Sequence, residues 1–250
     1  MSLNSLTCVG VHLSASPKPF TFAALDEEQR ILAFGEGEMV DALSYLAGLG
    51  RAVVAVSAPA RTNSGFLDTP EARERLNLPP GRWVTLRSAE YELDQAGMAV
   101  PHTPVRAENV PLWMRAGFRF YEQLNALGYQ PYPAPEAPRQ WLETQADAAY
   151  WSLLGVVPFP YGSLESRLQR QLALAGCGLP VPDAMDFFEE VTRYKLLRGQ
   201  LPLEGIYSPA ELNALVCAHT AWLAASRPDA LRCLGQPEDG LVYLPAPDPR

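Results

Sequence analysis

The chain has 250 residues, a formal net charge of -8, 48% apolar residues and 19% charged residues. That balance excludes a disordered polymer, and the acidic excess excludes the broad basic face on which duplex binding normally rests. No apolar stretch approaches the roughly 20 residues of a membrane span, and the longest candidate, 215–225, is interrupted by His219 and Thr220.

The first readable unit is Thr7–Pro17, a strand run of Cys8, Val9 and Val11 stopped by the polar turn at 14–17. Residues 20–25 and 30–34 read as a second and third strand, with 26–29 turning between them. Met39, Val40, Leu43, Leu46 and Ala47 recur at helical spacing, and Gly48 and Gly50 mark the end of that helix. Ala52–Val56 is apolar on both alternating faces, which predicts a buried parallel strand closing a crossover unit. Thr69-Pro70-Glu71 has the form of a helix start, with 78–81 closing it. Residues 82–110 show no clear period and are expected to be irregular, with at most one short strand. A helix follows at 112–127, ended by Gly128. The chain holds 24 prolines, about twice the usual frequency. Their clustering between Pro101 and Pro138 predicts an irregular insertion around 60–138 within a single domain.

Beyond it, 140–144 reads as a strand and 146–154 as a helix ending at Gly155. Residues 156–162 read as a loop, 163–174 as a helix capped by Ser163, and 183–197 as a helix capped by Asp183. Residues 208–225 form the strongest helical pattern, opened by a capping box of Ser208 and Glu211 with Pro209 in the first turn. Residues 241–244 make a last strand before a tail.

Cys8, Cys177, Cys217 and Cys233 are scattered without a C-x-x-C pair. With three dispersed histidines they offer no zinc spacing and are expected as buried thiols in a reducing, cytoplasmic setting. The amino terminus has no basic segment followed by an apolar run, so no signal peptide is expected. The phosphate-binding loop, the H-E-x-x-H pair, the G-x-S-x-G elbow and the dinucleotide fingerprint are all missing.

Four stretches carry a resemblance: VGVHLSAS at 9–16, VAVSAP at 54–59, WLETQADAAYWSLLG at 141–155 with its sequel at 162–172, and ELNALVCAHTA at 211–221 followed by EDGLVYLP at 238–245. In order and spacing they resemble domain-of-unknown-function family 429, a predicted-nuclease family with a ribonuclease-H-like fold. The resemblance implies an α/β fold: a mixed central sheet, antiparallel hairpin strands followed by parallel ones, flanked by helices. It also implies four carboxylates at one edge of the sheet, able to hold two divalent cations about 4 Å apart that clamp the attacking and leaving oxygens of a phosphodiester.

In this chain those four places fall on His12, Ser57, Glu143 and Asn213, so only Glu143 keeps its acid. The resemblance therefore implies a scaffold that has lost two-metal hydrolysis, needs no cofactor, and binds a nucleic acid, a small anion or a protein. The alternative is a hydrolase with one softer metal, manganese or zinc rather than magnesium, held by His12 and Glu143. Each residue also has a plain structural reading. His12 is a hydrogen-bonded strand-end histidine, Ser57 a turn-capping hydroxyl and Asn213 a helix-flank amide. His219 is a core residue, and Arg193, Tyr194, Lys195 and Arg198 form either a solvated helix end or an anion site. Glu90, Glu92, Asp94 and Glu108, in the stretch 82–110, are the acids available to replace the missing ones.

Overall fold

The structure is a computed structural model and describes residues 5–78, 81 and 85–247. Its strands are β1 Leu6–Leu13, β2 Phe20–Leu25, β3 Ile31–Gly37, β4 Arg51–Ser57, β5 Gln130–Pro131, β6 Arg139–Glu143, β7 Leu231–Gln236 and β8 Gly240–Pro245. The α-helices are α1 Met39–Ala47, α2 Pro70–Arg75, α3 Ser88–Gln95, α4 Leu112–Ala126, α5 Ala146–Leu154, α6 Leu164–Gly176, α7 Asp186–Glu190, α8 Arg193–Leu197 and α9 Pro209–Ser226.

The eight strands among the described residues lie in one sheet of order β3-β2-β1-β4-β6-β8-β7, with β5 added to β6. The chain runs β1, β2, β3 as antiparallel neighbours, then crosses back to place β4 and β6 parallel to β1. Strand β8 joins β6 in parallel, and β7 pairs antiparallel on β8. The α/β class and the mixed sheet flanked by helices are as the sequence predicts.

Alternation along the central strands divides the core. Val9, Val11, Val54, Val56 and Trp141 pack with α1 and α4 on one face. Cys8, Val53, Ala55 and Leu142 pack with α5 and α9 on the other. Helix α9 is apolar nearly all round, and from Leu212 to Ala224 every residue but the half-buried Trp222 is buried. It starts as predicted: Ser208 accepts from the Glu211 amide while the Glu211 carboxylate accepts from the Ser208 amide. It crosses β1 at Gly10, where a Cβ would sit 2.0 Å from the Ala214 carbonyl oxygen. The missing side chain is what lets the helix lie on the strand.

Four expectations need correction. The stretch 82–110 is not irregular throughout: it holds α3, whose Ala89 and Leu93 pack into the α9-side core. The 183–197 helix is two short helices, because the chain extends at Val191 and Thr192 and the Thr192 hydroxyl caps α8 afresh at the Lys195 amide. Strand β7 was not foreseen. Of the four cysteines, Cys8 and Cys217 are buried, but Cys177 is half-buried and Cys233 exposed. Pro79 and Pro80, read as part of the stop of α2, and the last three residues of the tail lie outside the described residues, as do residues 82–84.

Candidate functional site: two paired carboxylates at the carboxyl edge of the sheet

The parallel strands β1, β4 and β6 end at His12–Leu13, Ser57 and Glu143, so their carboxyl ends form one edge. His12 and Ser57 are direct register partners and share a face. It is the α9 face, since Gly10, two residues before His12, abuts α9. Asn213 and Cys217, one helical turn apart, look onto it from α9. The Ser57 hydroxyl accepts from the Ala146 amide at the start of α5 and also bonds the Cys217 thiol. Its place is that of a structural link between β4, α5 and α9.

Glu143 pairs in register with Val56, not Ser57, and therefore leaves the sheet on the α4 face. The sequence-predicted set thus divides: His12, Ser57 and Asn213 lie on one face and Glu143 on the other. Glu143 is also occupied. Arg87, immediately before α3, reaches it with Nη1 at 2.6 Å and Nη2 at 3.1 Å, and the Ala60 amide donates to its Oε2 at 2.9 Å. The ion pair is buried, with 1% of the Arg87 side chain and 8% of the Glu143 side chain exposed. Arg87 Nε donates to the Asp239 carbonyl. Burial works against the Arg87 charge, but the Glu143 carboxylate, with Glu90 and Asp239 nearby, lifts the guanidinium above its ordinary pKa.

The acids around this pair are likewise engaged. Glu90 accepts from the Arg87 amide and from the Thr103 amide and hydroxyl. The fully buried Asp239 accepts from the Ser64 hydroxyl and the Ser88 amide. Glu92 accepts from the Gly235 amide.

On the α9 face the carboxylate nearest the predicted residues is Asp147, in the first turn of α5. Arg170 of α6 places Nη1 2.7 Å from Asp147 Oδ1 and 2.9 Å from Asn213 Oδ1, and its Nε donates to Ser166. The same guanidinium lies 4.9 Å from the ring centroid of Tyr150 and 5.9 Å from that of Tyr161. His12 has its ring 6.3 Å from Tyr161. Its Nδ1 is sealed from solvent and has no hydrogen-bond partner among the described residues. This replaces the expectation of a hydrogen-bonded strand-end histidine.

Burial pushes His12 down to about 4, with Asp147 opposing the shift and Arg170 adding to it. His219, buried as predicted, is also pushed down to about 4 by burial; it bonds Gln29 and stacks on Trp222. Both histidines are neutral when folded and take up a proton more readily once unfolded, where the ordinary value is about 6.5. Stability is therefore full above pH 6.5 and falls as the pH is lowered from 6.5 toward 4. Urea denaturation across that window is expected to show this loss, and a His12→Gln, His219→Gln double variant to flatten it.

A metal does not fit the predicted residues. Strands β1 and β6 are two positions apart, about 10 Å. His12 and Glu143 leave opposite faces, and a shared ion would need both within about 2 Å. A cation at Glu143 alone would have to displace a buried guanidinium. Among the described residues no three His, Cys, Asp or Glu side chains gather as a metal site. Of the cations in and just after α8, Arg198 stacks on Tyr194 at 4.1 Å and Lys195 lies 3.9 Å from Glu190.

Sequence reasoning missed Arg87, Asp147, Arg170 and Asp239. Asp147, Asp239 and Arg170 all lay inside the stretches quoted for the resemblance, but nothing local showed which groups would pair. Compared with family models, curated proteins and solved structures, the chain matches none. No helix among the described residues is long and apolar enough to cross a membrane.

Proposed function

We propose that this chain is a divergent ribonuclease-H-like protein that has given up two-metal phosphodiester hydrolysis and acts by binding. The hairpin-then-parallel order β3-β2-β1-β4-β6 supports the fold, and the ordered motifs resembling domain-of-unknown-function family 429 support the lineage. One observation carries the loss of chemistry: Glu143, the acid retained at a family position, is bidentate to buried Arg87. A fixed guanidinium neutralises the carboxylate without offering a coordination site, so it can neither acidify a water nor bridge two phosphate oxygens. On the opposite face Arg170 holds the partly exposed Asp147 through one contact, Nη1 to Oδ1. With its acids paired internally, this edge is left without a free carboxylate for turnover, which supports a role in binding.

The single-metal hydrolase reading requires His12 and Glu143 to converge, and their register sets them apart. Calorimetric titration of Mn²⁺ and Mg²⁺ into chelator-stripped protein tests the proposal, with no saturable heat expected.

A further inference from the structure

On the α4 face a groove of about 540 Å³ opens between α4, the end of β6 and the β7–β8 turn. This volume lies within the range of small-ligand sites. Its walls are aromatic. Trp141 meets Tyr121 edge-on at 4.7 Å, and Tyr132 meets Tyr243 edge-on at 5.2 Å, so each ring is held by another. Phe118 of α4 also lines it, and belongs to neither main core cluster among the described residues.

The polar groups are few and differ in kind. Asn125 Oδ1 accepts from Trp141 Nε1, which fixes the amide and leaves its Nδ2 to donate. Glu122, three residues earlier on α4, presents an exposed acceptor. At the turn end stands Arg61. It is exposed, forms no ion pair among the described residues, and its hydrogen bond goes to a neutral carbonyl, that of Pro237. The acids at that end are engaged elsewhere: Glu143 by Arg87, Asp239 by Ser64 and Ser88.

We infer that this groove binds a nucleotide, its base against the aromatic walls, its base edge on Asn125 and Glu122, and its phosphate on Arg61. Rigid aromatic walls suit any flat heteroaromatic ring. The donor and acceptor one turn apart on α4 match the mixed edge of a base. An unpaired exposed guanidinium is a phosphate donor. The net charge of -8 opposes a polyanionic strand and favours a single nucleotide. The inference goes beyond the loss of hydrolysis, and holds whether or not a metal binds.

The test is calorimetry of AMP, adenosine and a single-stranded oligo-dA, with a chelator present throughout so that metal plays no part. AMP is expected to bind saturably. Arg61→Ala is expected to weaken AMP about ten- to hundredfold while leaving adenosine unchanged, and Phe118→Ala to weaken both. Absence of saturable binding by AMP and adenosine in the millimolar range overturns the inference. So does equal weakening of AMP and adenosine by Arg61→Ala. Oligo-dA binding tighter than AMP overturns the choice of a single nucleotide and places a strand in the groove.

Discussion

Replacing Arg87 by methionine is expected to lower the unfolding free energy by about 3–5 kcal/mol, because it leaves the Glu143 carboxylate buried without its partner. The change also removes the Arg87 bond to the Asp239 carbonyl, which ties α3 to the β7–β8 turn. The loss does not equal the strength of the pair. Most of it is the cost of a desolvated charge left alone, so replacing both partners by apolar residues of similar size should recover most of the stability. Urea denaturation of Arg87→Met, Glu143→Leu and the double variant measures this. A cost below about 1 kcal/mol for Arg87→Met would mean that water reaches Glu143 and that the pair is not the closed unit described.

Gly10→Ala is expected to be among the most damaging single-methyl changes in the chain. The new Cβ would meet the Ala214 carbonyl oxygen at 2.0 Å, the Ala218 amide nitrogen at 2.1 Å and the Cys217 carbonyl carbon at 2.7 Å, all backbone of α9. A flexible side chain can turn away, but a helix backbone buried on every side cannot. The expected cost therefore lies at or above the upper end of the about 1–3 kcal/mol typical of overpacking. The consequence reaches the candidate site. Displacing α9 moves Asn213 off Arg170 and Cys217 off Ser57, so the variant should also lose the ordered α9 face. Hydrogen exchange of the α9 amides reads this directly. Protection equal to wild type would contradict the close crossing.

Much of the fold is legible locally. The alternation in β1, the doubly apolar run of β4, and the caps at Ser163 and Ser208 are features of neighbouring residues, and each predicted its element. Helix α3 was hidden because only two of its apolar residues, Ala89 and Leu93, are buried, because Ser88 and Glu90 are buried beside them, and because Arg87, not a capping side chain, precedes it. The 183–197 pattern looked continuous because the break at Val191–Thr192 uses no glycine or proline. The site was less legible than the fold. Whether Glu143 leaves the sheet on the His12 side depends on its pairing with Val56 rather than Ser57, and no local pattern fixes inter-strand register. Its neutralisation depends on Arg87, 56 residues away and in the stretch with the least period. The resemblance implied which acids to look for; only the assembled sheet shows what holds Glu143.

The most direct measurement is a calorimetric titration of Mn²⁺ into chelator-stripped protein, with Glu143→Gln alongside and circular dichroism to confirm that both proteins are folded. The pairing of Glu143 with Arg87 predicts no saturable heat in either protein. Micromolar binding in the wild type that disappears in Glu143→Gln would show that a cation displaces the guanidinium, and would contradict the proposed loss of metal binding.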